Sequence, residues 1–132
     1  MTQATPILVE VAPGELIDKI TILQIKTERI DDADKVKNVR IELEVLETAR
    51  DNVIPSSEEL DRLTAELKTV NEALWEIEDD IRDCERDKDF GPKFIELARS
   101  VYRTNDRRAA AKREINELLG SKIVEEKSYA DY

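Results

Sequence analysis

The chain has 132 residues, enough for one ordinary domain, with 39% charged and 40% hydrophobic residues but only 5% aromatics, three glycines and four prolines. This composition excludes collagen-like and low-complexity chains and is too poor in turn residues for an all-β sandwich. Thirty-one acids against 21 bases give a net charge of −10, which argues against nucleic acid or an anionic membrane as partner.

The first apolar stretch, Ile7-Leu8-Val9-Glu10-Val11, is short and β-branched with no helical period, so it reads as a strand. A first helix is expected over 13–29, opened by Pro13 at a favoured first position. Leu16, Ile20, Leu23 and Ile30 form its seam, and Ile17, Ile22 and Ile25 widen the stripe until it implies burial on more than one side. A second helix is expected over 33–53, with Asp31, Asp32 and Asp34 as capping candidates and Val36, Val39, Leu43, Leu46 and Val53 on its seam, interrupted by Arg50.

The strongest signal runs over 57–88. Leu60, Leu63, Leu67, Val70, Leu74, Ile77, Ile81 and Cys84 alternate steps of three and four without a miss, which is a heptad seam over four repeats. Ser56 and Glu59 stand in capping-box relation at its start. At 1.5 Å per residue this helix is about 48 Å long. The short link around Pro55 predicts that the second and third helices lie side by side, the shorter covering about two-thirds of the longer.

A fourth helix is expected over 92–119, with Gly120 as its C-terminal stop and Phe94, Leu97, Ala98, Val101, Ala111, Ile115, Leu118 and Leu119 as apolar positions. The last segment, Lys122-Ile123-Val124-Glu125-Glu126-Lys127, again reads as a strand. The expected fold of residues 1–132 is therefore a single, mainly all-α domain. It is an up-down four-helix bundle built on a long antiparallel helical hairpin, with the termini forming a short β-strand pair. The tip of that hairpin, with Ile81, Cys84, Phe90, Phe94 and Ile95, projects uncovered, and a two-fold homodimer is the simplest way to cover it.

With no histidine, Ser–His–Asp and Cys–His catalysis and histidine-containing metal sites are excluded. The single cysteine, Cys84, forms no internal disulfide and suits a reducing compartment. The N-terminal residues lack a basic region before the apolar run, and no stretch approaches the roughly 18 apolar residues of a membrane span. A cytoplasmic location is the expectation.

Three places invite chemistry. Glu72, Glu76 and Asp79 loosely resemble the Mg²⁺-holding carboxylates of all-α nucleoside triphosphate pyrophosphohydrolases, but their register sets them opposite the seam, facing water, so neither a metal nor another cofactor is expected. The bases Arg99, Arg103, Arg107, Arg108, Lys112 and Arg113 form an island with one acid, Asp106. An interhelical salt-bridge layer with the acids around Glu76–Asp80 accounts for Arg99 and Arg103. Finally, the fourth helix turns polar at its inward positions, with Thr104 or Asn105, then Arg108 and Lys112, level with Thr21, Lys26 and Glu28. Such a layer is either a register-fixing network, with Asp18 or Glu28 as counter-ion of Arg108, or a pocket for a small anion.

Three stretches resemble one family as a set: Val9 to Lys26 (VEVAPGELIDKITILQIK), Asn38-Val-Arg-x-Glu-Leu, and Tyr102-Arg-Thr-Asn-Asp-Arg-Arg through Ile123-Val-Glu-Glu-Lys-Ser-Tyr. The family is that of small bacterial and phage proteins of unknown function designated DUF6165. The resemblance covers almost the whole chain. It implies no activity, but it implies that Glu15, Asp18, Lys19 and Lys26, and the stretch from Asn105 to Lys112, characterise the family. Ile17-Asp18-Lys19-Ile20 and the basic later helices also loosely resemble the all-helical chorismate mutases, although the substrate-binding arginine of that first helix is replaced at best by Lys19 or Lys26.

The function expected from these readings is a homodimeric interaction module without catalysis. The alternative is a small-anion (phosphate or carboxylate) site, binding or enzymatic, with Lys26, Arg103, Asn105, Arg108 and Lys112 as its residues.

Overall fold

The three-four spacing of apolar residues resolves into four helices: α1 Pro13–Arg29, α2 Ala33–Val53, α3 Glu58–Arg86 and α4 Pro92–Leu118. The structure, a computed structural model, describes residues 3–132; Met1 and Thr2, which enter the sequence reading through the missing basic region, lie outside the described residues. None of the four helices is long and apolar enough to cross a membrane.

Local chemistry explains where each helix begins and ends. The Asp32 carboxylate accepts from the backbone N–H groups of Asp34 and Lys35, capping α2. For α3 the cap is Ser57, whose Oγ accepts from Leu60 N at 3.1 Å. The expected Ser56–Glu59 box gives way to this single cap one residue on, since Leu60 has no carboxylate to return the bond. At the far end of α4, Gly120 takes φ +64° while Ser121 N donates to the carbonyl of Asn116, a Schellman closure. The end of α3 closes the same way, with Asp89 N donating to the Cys84 carbonyl, but here the left-handed residue is Lys88, at φ +56°. A lysine there carries about 1 kcal/mol of backbone strain that glycine escapes. Lys88→Gly is expected to raise stability by roughly 0.5–1 kcal/mol, read as a higher urea midpoint with unchanged slope.

Packing is organised around α1. It lies against all three other helices, α4 folds back along α3, and α2 runs beside α1 but alongside neither α3 nor α4. Ile17, Ile20, Leu60, Leu63, Leu67, Ala111 and Ile115 form the main core, with Leu16, Leu43, Leu46, Ile54 and Leu119 packed on its rim. Each fully enclosed Leu or Ile contributes about 1.5–3 kcal/mol. The α3 seam points inward as its spacing requires: Leu60, Leu63, Leu67, Val70 and Cys84 are buried, and Leu74, Ile77 and Ile81 are half-buried.

The partners of α1 show its path. Its first turn meets α4, where Gly14 N donates to Asn116 Oδ1 at 2.7 Å. Its middle lies between α3 and α4. Its last turn has left α4 for α3, with Glu28 on Lys68 at 2.8 Å and Arg29 on Glu76 at 3.4 Å. So α1 crosses the α3–α4 hairpin diagonally.

Two expectations are corrected. The first is that α2 lines α3. Both of its links, 30–32 and 54–57, are short, and α2 takes α1 as its neighbour because the α3 seam is already covered by α1 and α4. Accordingly α2 has no fully buried residue. Val53 is exposed and Ile54, one residue on, turns inward in its place.

The second is the terminal strand pair: among the described residues there is no strand. The two segments do approach, with Lys122 Nζ 3.6 Å from Glu10, but no backbone ladder joins them. A two-stranded ribbon is marginal by itself. The C-terminal segment instead runs back along α4, held by Lys112–Glu125, Arg113–Glu126 and Tyr132–Asp106 contacts.

Candidate functional site

The polar positions of α4 face α1 because helix periodicity leaves no other inward residues between Val101 and Ala111. Thr104 and Lys112 are buried there, and Arg108 is half-buried. Asp18, one turn into α1, is buried to 1% exposure and would be costly there without partners. Arg108 supplies two: Nε donates to Oδ1 at 2.9 Å and Nη2 to Oδ2, the bidentate arrangement that guanidinium geometry favours. Asn71 Nδ2, from α3, donates to the same Oδ1 at 2.9 Å and to Thr21 Oγ1 at 2.9 Å, while Thr21 Oγ1 donates to the Asp18 carbonyl at 2.7 Å. Three helices are thus tied at one carboxylate. Among the described residues no buried side-chain polar atom lacks a partner.

One turn further along α4, Lys112 Nζ lies between two carboxylates, Glu15 of α1 at 2.8 Å and Glu125 of the C-terminal segment at 3.0 Å. Burial pulls the Lys112 pKa down, but the hydrogen bonds to Glu15 and Glu125 outweigh it and the net shift is upward. The hydrogen bond from Lys112 holds Glu125 below the usual carboxylate range. The bond to Asp18 raises Arg108 further. All three shifts favour the charged forms of Arg108, Lys112 and Glu125.

On the outer side of this layer is a cavity of about 220 Å³, lined by Asn105, Arg108, Ala109, Lys112, Glu125 and Lys127. Beyond Asn105, Ala109 and Lys127 it opens towards a larger hollow of about 940 Å³ walled by Tyr102, Tyr129 and Tyr132. Tyr132 donates to Asp106, which raises the Tyr132 pKa, and its ring stacks at a tilt on Tyr102 with centroids 4.9 Å apart.

A model for a family of unknown function, DUF6165, matches residues 7–132. The chain belongs to the DUF6165 family. No curated protein and no solved structure matches it. The DUF6165 match takes in both the extended segment at Ile7–Val11 and the C-terminal segment on α4.

Within this DUF6165 chain the expected site residues divide. Asn105, Arg108 and Lys112 meet at one cavity. Lys26 does not join them, because the diagonal path of α1 carries its last turn over α3. Arg103 also lies outside, paired with Glu96 at 3.6 Å on its own helix. The interhelical layer expected of Arg99 and Arg103 is absent: Arg99 likewise takes Glu96, at 3.4 Å. The acidic flank of α3 is met instead by Arg29 of α1, 3.9 Å from Glu72 and 3.4 Å from Glu76. No cluster of three metal-ligating side chains occurs among the described residues.

Sequence reasoning missed Asn71, Glu125 and Lys127. Asn71 carried a weak signal, an amide directly beside the Val70 seam position. Glu125 and Lys127 were hidden by the strand reading of their segment.

Proposed function

We propose that this protein is a cytoplasmic, homodimeric interaction module that performs no catalysis. The observation that carries the reading is the apolar surface left open on two elements. Along α2, Ile41, Val45, Ala49 and Val53 recur every fourth residue and are all exposed, Val45 to 62%. At the tip of the α3–α4 hairpin, Phe90 and Ile95 are 50% and 55% exposed, and Phe90 packs edge-to-face on Phe94 at 5.3 Å. Aligned apolar side chains at this exposure favour association, and a second copy supplies a matching stripe through a two-fold axis. The buried layer supports the non-catalytic part of the reading. Asp18 and Arg108 neutralise each other in a bidentate pair that also binds Asn71, which suits a device that sets helix register.

Light scattering of the purified protein is expected to give the mass of two chains. Val45→Asp and Ile95→Asp, made separately, are each expected to keep the helical circular dichroism. The one that halves the mass identifies the interface. A wild-type mass of one chain at micromolar concentration would overturn the proposal.

A further inference from the structure

The charged side chains lining the outer cavity are mostly basic in an acidic protein. Arg108, Lys112 and Lys127 line it with the Asn105 amide, against one lining carboxylate, Glu125. Lys112 is more than nine-tenths buried, so its charge has little help from water and depends on the oxygens it touches. On the inner side those are Glu15 on Lys112 and Asp18 on Arg108, both carried by α1. Arg108 uses Nε and Nη2 on Asp18 and makes no hydrogen bond through Nη1 among the described residues.

On the outer side the oxygens come from the C-terminal segment. Glu125 places Oε2 at 3.0 Å from Lys112 Nζ and Oε1 at 3.5 Å from Lys127 Nζ. The segment that brings it is held by solvent-exposed contacts, Arg113–Glu126 at 3.9 Å and the Tyr132–Asp106 hydrogen bond. Contacts this exposed are screened by water and hold the segment weakly.

We propose that the cavity binds a small oxyanion of the phosphate class, and that Glu125 is its tethered competitor. The Glu125 carboxylate shows which chemistry the site accepts: an anion with two oxygens bridging Lys112 and Lys127. A phosphate group has the same reach, adds charge and offers further oxygens to Asn105 and the unused edge of Arg108. At about 220 Å³ the cavity suits a phosphoryl group rather than a whole nucleotide. The neighbouring hollow, with Tyr102 and Tyr132, has room for the organic part of a phosphate ester. Binding displaces Glu125 and loosens the C-terminal segment from α4.

The test is calorimetric titration of the full chain with inorganic phosphate at constant ionic strength, balanced with chloride. A tethered carboxylate competes at an effective concentration of about millimolar, so the wild type is expected to bind weakly. Glu125→Gln is expected to bind roughly tenfold more tightly, a gain that loss of folding cannot mimic. Lys127→Met, added to the Glu125→Gln chain so that no tethered competitor remains, changes an exposed position outside the core and is expected to weaken binding several-fold relative to Glu125→Gln. No tightening in Glu125→Gln, or undiminished binding when Lys127→Met is added to it, would overturn the assignment. A parallel titration with a nucleoside monophosphate separates two sources of the same anion. Tighter binding than phosphate assigns a ring-bearing ester, and equal binding assigns free phosphate.

Discussion

Arg108→Met is expected to cost about 3–5 kcal/mol of folding stability, the penalty for removing one partner of a buried pair. The asymmetry of the site sets the size of this effect. Asp18 is 1% exposed, whereas the Arg108 side chain is 31% exposed. With methionine at 108, the carboxylate stays enclosed between three helices, keeping only the hydrogen bond from Asn71 among those received from side chains. With Asp18→Asn, by contrast, Arg108 can turn its guanidinium to solvent and the amide retains one acceptor oxygen. That variant is expected to lose only about 1–3 kcal/mol.

The double variant Asp18→Leu with Arg108→Met removes both charges and offers apolar surface to the core. It is expected to recover most of the loss of the arginine variant alone. Urea unfolding of the wild type, Asp18→Leu, Arg108→Met and the double variant closes the cycle and measures the coupling. Additive losses would show that the two side chains do not work as a pair, and the register-setting role would fail with them.

The second large effect is expected at Gly14. A Cβ built there would stand 2.4 Å from the Lys112 carbonyl oxygen and 2.9 Å from Asn116 Oδ1. The first of these atoms is helix backbone and cannot turn aside. Propensity alone predicts that Gly14→Ala gains up to about 1 kcal/mol, since alanine is the better helix former. Steric overlap with a backbone atom predicts a loss of about 1–3 kcal/mol, because α1 must lift off α4. At such a short approach the overlap wins, and a net loss of about 2 kcal/mol is expected. The sign of the change in thermal midpoint decides between the two effects. The displacement would also stretch the Glu15–Lys112 and Asp18–Arg108 contacts, which lie on the next turns of the same pair of helices.

How much of this was legible beforehand follows from which forces are local. The bounds of α1 and α2 coincide with the expected 13–29 and 33–53, because Pro13 and Asp32 act within a single turn. The α3 seam was equally legible, since an uninterrupted three-four spacing has one solution. Placement of α2 was not. Two short links bracket it, and link length cannot say which sequence neighbour it will lie beside. The wide apolar stripe of α1 held the answer: a helix buried on several sides is a central one, and α2 fills its remaining side.

The site was half legible for a related reason. Arg108 and Lys112 were found from their inward positions, and Asp18 from its charge. Lys26 was placed by counting along parallel helices, whereas α1 runs diagonally, and Arg103 by its place on the basic face of α4, where it turns to Glu96 instead. The oxygens of Glu125 were out of reach of such counting altogether, because the contact joins α4 to a segment with no periodic pattern.

The outlying position of α2 has a consequence for how the molecule comes apart. A helix with no enclosed side chain, gripping a single neighbour, is the least expensive part of the fold to release, and α1, α3 and α4 remain interlocked through the Asp18 junction when it goes. The native state therefore has a built-in order of opening: backbone amides of α2 exchange with solvent first, and those around Leu67 and Ile115 last.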